Sequence, residues 1–246
     1  TISVTDNSSN DEFDSLADQT ITVTTTDNDT AGFTKSEATQ TVTEASGTDT
    51  FTLVLNAEPA SNVVLRVTSA DTGEVTVGAA DYTFTAANWD SAQTVTLTGI
   101  NDTIVDTDTE TTVTITVVDA SSDNNFDDVA NQTVTVTTTD NETASYTKSE
   151  TTQTVTEAGG TDTFTLVLGA QPATDVVLNV VSADTGEVTV GTANYTFTTG
   201  NWDTPQTVTL TGVNDSIVDT NTETTVTISV TDASSNDEFD SLADQT

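Results

Sequence analysis

Carboxylates are the side chains that could do chemistry in this 246-residue chain, which has 40 Asp and Glu against three Lys and Arg and a formal net charge of -37. They gather in a few segments rather than spreading evenly. The candidate ligands in these segments are Asp27, Asp29, Glu44, Asp81, Asp102, Asp106, Asp108, Glu110, Asp140 and Glu142. Calcium takes about six to eight oxygen ligands in irregular geometry, whereas magnesium demands a strict octahedron. If these carboxylates converge, the cation they predict is Ca2+.

The composition excludes several other kinds of chemistry. The chain has no Cys, His or Met, so it lacks the thiolate nucleophile, the usual zinc ligands and the commonest general base. Paired carboxylates alone can cleave glycosides, but acids this densely grouped, without an aromatic-lined cleft, favour metal binding. We therefore predict that the chain is not an enzyme.

The shortage of Lys and Arg limits the partners that the chain can bind. Nucleic acids and anionic membranes are held through basic side chains, and three are too few for either. No apolar run approaches the roughly 18 residues of a membrane span, so no membrane insertion is expected in this fragment.

The sequence contains a long internal repeat. Asp27-Asn28-Asp29-Thr30 recurs 113 residues later as Asp140-Asn141-Glu142-Thr143, and Trp89 recurs at the same offset as Trp202. A unit of this length is the size of one β-sandwich domain and exceeds a solenoid repeat. We expect residues 1–26 to be the last hairpin of an upstream repeat, 27–139 a complete repeat, and 140–246 a second repeat lacking its final strand.

The strand signal is a strict alternation of Thr with apolar residues, as in Thr94-Val95-Thr96-Leu97-Thr98. This period of two is typical of half-buried strands, and no segment has helical periodicity. With the turn signals, it predicts strands at 32–43, 48–56, 62–69, 82–85, 93–100, 111–118 and 132–138. The predicted fold class is all-β, with tandem seven-stranded antiparallel β-sandwich domains of immunoglobulin-like type in an extended array.

Strand order should bring most of the acidic segments together. If successive strands run in opposite directions, alternate turns and the end of the last strand lie at one pole. Glu44, Asp81, the acids from Asp102 to Glu110, and those after the last strand would meet there. The alternative is that they are solvated turn formers, because Asp stabilises turns and acidic surfaces aid solubility. For one residue that explanation is the better one, but the convergent set favours calcium.

Four short motifs carry a family resemblance. They are Val42-Thr43-Glu44, Asp81-Tyr82-Thr83-Phe84, Gln93-Thr94-Val95-Thr96-Leu97 followed by Asn101-Asp102 and Asp106, and the stretch from Thr133 to Asp140. In order and spacing they resemble the Calx-beta domain, the calcium-binding sandwich of sodium/calcium exchangers that also recurs in tandem in bacterial adhesins. The resemblance implies that Glu44, Asp81, Asp102, Asp106 and Asp140 bind calcium.

The sequence departs from the family pattern at some of these positions. The family's first aspartate of the fifth turn is Asn101 here, and its second glutamate falls one place off, at Glu110. In the second repeat, Asn194 replaces Asp81 and Asn221 replaces Asp108. The carboxylates that remain there are Glu157, Asp215, Asp219 and Glu223. The second repeat is therefore expected to hold fewer ions.

A second acidic loop should lie at the opposite pole of each repeat. Its carboxylates are Asp123, Asp127 and Asp128 in one copy and Asp237, Glu238 and Asp240 in the next. Because Asp27-Asn28-Asp29 leads into the first strand with almost no linker, this loop should lie near the end of the preceding repeat. Calcium bound at the junction would stiffen a row of repeats.

The function predicted from these features is that of a calcium-binding structural repeat of a large extracellular or cell-surface protein, forming a calcium-stiffened stalk or filament. Its expected partners are neighbouring repeats of the same protein. Copies that assemble by strand donation are also expected partners, because the repeat is cut at both ends, although a piece taken from a longer array explains those ends equally well. The alternative function is an adhesive module of a bacterial adhesin that binds a sugar or a protein.

Overall fold

The alternating Thr and apolar residues form strands throughout the computed structural model, which describes residues 1–218 and 220–246. The chain is all-β and builds antiparallel β-sandwiches. Its helices, within the described residues, are short 3-10 segments at Asp6–Ser8, Asp11–Phe13, Asp119–Ser121, Asn124–Phe126, Asp232–Ser234 and Asp237–Phe239. None of them has the length and apolarity needed to cross a membrane.

Two packed sheets make up the first unit, residues 33–139. Its strands are β1 Phe33–Lys35, β2 Thr39–Thr43, β3 Thr48–Leu55, β4 Val63–Ser69, β5 Val75–Val77, β6 Asp81–Phe84, β7 Gln93–Gly99, β8 Ile104–Val105, β9 Thr109–Val117 and β10 Gln132–Thr139. One sheet has the order β1-β3-β7-β5 and the other β2-β10-β9-β4-β6. Phe51, Leu97 and Val134 are among the buried side chains that both sheets contribute to the core.

One predicted strand divides between the sheets and two short strands, β5 and β8, form where none was predicted, so the unit has more strands than the seven expected. The segment 32–43 becomes β1, which pairs antiparallel with β3, and β2, which pairs parallel with β10 in the other sheet. The parallel pair is an exception to the antiparallel order expected from the sequence. It arises because the chain crosses from one sheet to the other at residues 36–38 without reversing. The sequence did not predict β5, which precedes β6 and joins the opposite sheet.

The second unit, residues 146–246, repeats most of this arrangement. Its strands are β11 Tyr146–Lys148, β12 Thr161–Leu168, β13 Gln171–Pro172, β14 Val176–Ser182, β15 Val188–Val190, β16 Asn194–Phe197, β17 Gln206–Gly212 and β18 Val226–Val230. The sheet orders are β11-β12-β17-β15 and β16-β14-β18. The second of these has three strands where its counterpart in the first unit has five.

Residues 1–30 lie outside both cores. The hairpin predicted for 1–26 is reduced to one isolated bridge between Ile2 and Gln19. Residues 20–26 form no strand, and Ile21 and Val23 are exposed. An isolated two-stranded hairpin is marginal in water because it has no sheet to pack against, which accounts for the difference.

Candidate metal centre

The parallel pairing of β2 with β10 brings two carboxylates together. The register places Thr43 beside Thr139, and the backbone N–H of Glu44 donates to the carbonyl of Thr139 at 3.2 Å. Glu44 and Asp140 follow these residues directly. Because both strands run in the same direction, their ends leave the sheet side by side, and so do the two acids.

Glu44, Asp140 and Glu142 form a compact group, the acidic cluster. One carboxylate oxygen of each lies within 4.8 Å of the corresponding oxygens of the other two. Glu44 is only 3% exposed, and its Oε2 is buried without a hydrogen-bond donor in the described parts of the chain. Oε2 of Glu142 is likewise buried without a hydrogen-bond donor in the described residues. Burying acceptors without partners is unfavourable, so the cluster presents the oxygens that a cation would satisfy.

The loop between β7 and β9 adds further carboxylates. The backbone N–H of Asp106 donates to Oδ2 of Asp140, and the N–H of Asp140 donates to Oδ1 of Asp108, both at 3.2 Å. Oδ1 of Asp102 accepts the N–H of Ile104 at 2.7 Å and so shapes the loop. The predicted ligands that the structure brings together are thus Glu44, Asp102, Asp106, Asp108, Asp140 and Glu142.

Glu74 also belongs to this pole, although the sequence-based set omits it. Burial, followed by the charges of Asp106 and other nearby acids, raises the pKa of Glu74, and its Oε2 is buried without a donor from the described chain. A signal for it exists in the sequence, because Asp71-Thr72-Gly73-Glu74 recurs as Asp184-Thr185-Gly186-Glu187. Reading only Asp71-Thr72-Gly73 as a turn leaves out the carboxylate that follows.

Burial and mutual repulsion disfavour the ionised form of these acids. The pKa of Glu44 rises from its ordinary value of 4.5 to about 8, first through burial and then through contact with the carboxyl of Glu142 and the charges of Asp102 and Asp140. Burial is also the main cause that raises the pKa of Glu142 and of Asp106. Near neutral pH the group therefore ionises at an energetic penalty that a divalent cation would relieve.

The chain's three basic side chains are all engaged elsewhere. Nζ of Lys35 donates to a carbonyl two residues along the chain, and Nζ of Lys148 donates to a carbonyl in the second unit. Arg66 pairs with Asp81. None of these three side chains therefore compensates the negative charge of the acidic cluster.

The structure does not bring Asp81 to the cluster. Arg66 donates to both of its carboxylate oxygens, at 2.7 and 2.8 Å, and holds the pKa of Asp81 below its usual value. Asp81 of β6 lies beside Arg66 of β4, and on its other side Arg66 lies beside Thr116 of β9. Thr116 is seven residues along β9 from Thr109, which lies at the acidic pole. Seven residues of strand span about 23 Å. In the second unit Nδ2 of Asn179 donates to Oδ1 of Asn194 at 2.7 Å in the equivalent place, so an amide pair replaces the ion pair.

We expect the double substitution Arg66→Asn and Asp81→Asn, which copies the pair of the second unit, to change little. The ion pair is largely exposed, and such pairs contribute about 1 kcal/mol or less. Thermal unfolding should therefore shift only slightly, and calcium affinity measured by calorimetry should stay the same. A fall in calcium affinity in the double variant would restore Asp81 as a ligand.

The remaining predicted ligands also lie apart from the cluster. Glu110 is exposed on β9 opposite Thr137. Asp27 and Asp29 are exposed, and the N–H of Asp29 donates to Oδ1 of Asp27 at 3.1 Å. In the second unit the exposed ones are Glu157, Asp215 and Glu223, while Asp219 lies outside the described residues.

In the second acidic loop, Asp123 has a structural role. It is buried and accepts the backbone N–H groups of Ser61 at 2.9 Å and Asn125 at 3.0 Å, which lowers its pKa and caps the short helix that follows. Asn236 caps the equivalent helix by accepting the N–H of Glu238 at 3.3 Å. An uncharged Asn therefore also caps the helix at this position.

Glu238, in the same loop of the second unit, approaches the acids of the first unit. Its negative charge is one of those that raise the pKa of Asp106. The two units enclose a cleft of about 370 Å³, whose lining includes Val105, Asp106, Asp140, Glu142, Glu238 and Leu242. The expected meeting of one unit's acidic loop with the end of its neighbour is thus present at this junction.

The loop that carries Asp102 and Asp106 is also fixed to the second unit. Within it β8 pairs parallel with β13, the N–H of Gln171 donates to the carbonyl of Thr103 at 3.2 Å, and Oγ1 of Thr103 donates to Oε1 of Gln171 at 2.7 Å. Val105 is 3% exposed and packs in the core of the second unit. One short segment therefore contacts both the acidic cluster and the neighbouring unit.

No family model and no curated protein matches the sequence. Among solved structures, the apo form of the Calx CBD1 domain has 13% identity and a TM-score of 0.36, covering 46% of this chain and 100% of that one. CBD12 from CALX1.2 has 12% identity and a TM-score of 0.33, covering 81% and 79%. The C. elegans MSP family member WR4 has 11% identity and a TM-score of 0.33, covering 43% and 96%. Likenesses this distant carry no argument about function.

Proposed function

We propose that this chain is a calcium-binding structural module of a large extracellular or cell-surface protein, in which calcium stiffens a row of units into a stalk. The observation that carries the proposal is the buried carboxylate of Glu44, whose Oε2 meets no donor within the described residues and lies beside Asp140 and Glu142. A bound cation would allow such a carboxylate to ionise at neutral pH.

The donor set supports calcium over other metals. It consists of carboxylates in a protein without Cys or His. Hard oxygen ligands from several loops suit calcium, which accepts irregular coordination more readily than magnesium does. Glu44, Asp140 and Glu142 would hold the ion, with Asp102 and Asp106 contributing from their loop. When bound, calcium would supply the positive charge that allows these acids to ionise together.

Stiffening would follow from the position of the loop between β7 and β9. The backbone N–H of Asp106 donates to the side chain of Asp140, and Oδ1 of Asp108 accepts the backbone N–H of Asp140. Val105 in the same loop is buried in the second unit. An ion that fixes the carboxylates would fix the loop, and the loop would hold the second unit in one orientation. The mechanism uses only positioning and charge and involves no catalytic step.

An extracellular location suits this mechanism. Modules outside the cell typically bind calcium with dissociation constants of about 10⁻⁴ to 10⁻³ M, where it acts as a folding cofactor. Binding of a sugar or protein ligand remains a prediction from the sequence alone.

Calorimetric titration and small-angle scattering on the same sample test the proposal. We expect heat of calcium binding that equimolar magnesium does not reproduce, and a longer, less flexible particle once calcium is bound. The absence of calcium-specific binding would overturn the assignment of the site. Binding without any change in particle shape would overturn the stiffening mechanism.

A matched pair of variants isolates the junction. Val105→Ser removes an apolar side chain buried between the units, whereas Val218→Ser makes the same change at the equivalent, exposed position of the second unit. Val105→Ser should restore flexibility in the calcium-bound particle at low protein concentration, and Val218→Ser should not.

A further inference from the structure

The acidic loop of the second unit differs from its copy in the first unit in where it carries negative charge. Asp123 caps the short helix of the first unit, and the uncharged Asn236 caps the equivalent helix of the second. Two residues further along the order is reversed, with Asn125 in the first unit and Glu238 in the second. The second unit therefore has no carboxylate at the cap and gains one at a position that the cap does not use.

Glu238 lines the cleft between the two units, together with acids of the first unit. It is partly buried, and the cleft of about 370 Å³ is also lined by Asp106, Asp140 and Glu142. The negative charge of Glu238 is one of those that raise the pKa of Asp106. Within the described residues no basic side chain lines this cleft. Carboxylates from both units therefore share one small volume without a positive charge from the chain.

This arrangement of charge opposes the contacts that hold the units together. Strand β8 of the first unit pairs with β13 of the second, and Val105 is buried in the core of the second unit. Like charges that face each other across an interface weaken association. The apolar and backbone contacts thus join two surfaces whose carboxylates repel, and a cation in the cleft would remove that conflict.

The cleft and the acidic cluster have two residues in common, Asp140 and Glu142. Oε2 of Glu142 is buried without a hydrogen-bond donor in the described chain, and so is Oε2 of Glu44, a side chain that is only 3% exposed. These unsatisfied acceptors belong to the first unit and do not depend on Glu238. They favour a cation beside Asp140 and Glu142, the same residues that line the cleft with Glu238.

We propose that Glu238 is a calcium ligand that the second unit supplies to the site of the first, an inference that rests on the proposed function. Asp106, Asp140 and Glu142 would bind the ion from one side of the cleft, and the carboxylate of Glu238 would bind it from the other. Calcium suits such a site, because it takes about six to eight oxygen ligands in irregular geometry. The complete ligand set then exists only while the two units are in contact.

A shared ion couples calcium binding to the contact between the units. A ligand that binds the docked arrangement more tightly must stabilise that arrangement by the same factor. A change that loosens the junction, such as Val105→Ser, should therefore weaken calcium binding even though Val105 is not a ligand. Couplings of this kind typically change affinity by about 5- to 150-fold. The copy of the loop in the first unit, with Asn125 at this position, could not supply the same carboxylate.

Calorimetric titration of two matched variants tests the assignment. Glu238→Gln removes the proposed ligand, whereas Asp232→Asn removes one negative charge from an exposed position in the same loop. Glu238→Gln should lower calcium affinity within the range given above, and Asp232→Asn should leave it nearly unchanged. Thermal unfolding in chelator checks folding, and Glu238→Gln should be at least as stable as the parent because it relieves repulsion with Asp106. Equal calcium affinities in the two variants would overturn the assignment.

A double-mutant cycle tests the coupling through Glu238. Val105→Ser should weaken calcium binding in the parent chain and have much less effect in the Glu238→Gln background, where the second unit no longer supplies a ligand. Val218→Ser, at the exposed equivalent position, should have no effect in either background. If Val105→Ser weakened binding equally in both backgrounds, the junction would act on the site without Glu238, and the shared ion would be wrong.

Glu44→Gln separates this inference from the proposed function. Weaker calcium binding in both Glu44→Gln and Glu238→Gln supports the metal site and the shared ligand. Weaker binding in Glu44→Gln alone keeps the metal site of the first unit and overturns the shared ligand. A parent chain that binds no calcium overturns the proposed function and the shared ligand with it.

Discussion

The Glu44→Gln variant will be more stable than the parent chain at pH 8 without calcium, and it will gain much less stability when calcium is added. Gln has nearly the same shape but removes a negative charge from a buried position beside Asp140 and Glu142. An unsatisfied buried polar group costs about 1–3 kcal/mol, and more when charged, so a gain of that order is expected in the calcium-free state. The measurement is thermal unfolding in chelator and in calcium.

The loss of the calcium effect should be the larger change. A ligand at 100 times its dissociation constant stabilises the folded state by about 2.7 kcal/mol per site. The parent chain should show an increase of this size and the variant little of it. Glu58→Gln, which removes one charge from an exposed position, should show neither effect. A variant that is destabilised in chelator, or that retains the full calcium effect, would remove Glu44 from the site.

The strands could be predicted from the sequence because Thr–Val alternation is a local signal. Val134 and Val136 are buried as the period of two requires, and the predicted segment 132–138 lies within β10. The same local signal could not predict that segment 32–43 divides into β1 and β2. Which sheet each half joins depends on partners 22 and 96 residues away, Leu55 for Phe33 and Thr135 for Thr39.

The site could be predicted in part, and the reason for its formation differs from the one that the sequence suggests. Glu44 and Asp140 meet because β2 and β10 run parallel, whereas the prediction relies on antiparallel strands. Counting turns also places Asp81 at the acidic pole. The chain instead passes that pole near Glu74, then forms β5 before Asp81 pairs with Arg66. Contacts between sheets, which local patterns do not encode, decide which acid of this connection lies near the site.

Without calcium, the free energy of unfolding will fall as the pH rises from about 4.5 to about 8. A carboxyl whose pKa is higher in the folded state contributes stability below its unfolded value, and that contribution is lost as the pH rises through the folded value. For Glu44 these values are 4.5 and about 8, and the raised pKa values of Glu142, Asp106 and Glu74 act in the same direction.

The acids with lowered pKa values do not cancel this trend. Arg66 lowers the pKa of Asp81, and backbone hydrogen bonds lower those of Asp123 and Asp162. Their contribution is present above their ordinary value of 3.8 and is lost only as the pH falls through the lower folded values. It is therefore nearly constant across the window in which Glu44 titrates.

Calcium should reverse the slope, because it binds the ionised carboxylates and competes with protons for them. Thermal unfolding at pH 4.5, 6 and 8, with calcium and with chelator, measures both slopes on one protein. The calcium effect should be smallest at pH 4.5 and largest at pH 8, and Glu44→Gln should flatten the curve measured in chelator. A calcium-free chain whose stability rises steadily to pH 8 would mean that its acids ionise without penalty. They would then be solvated turn residues and would have no need of a metal.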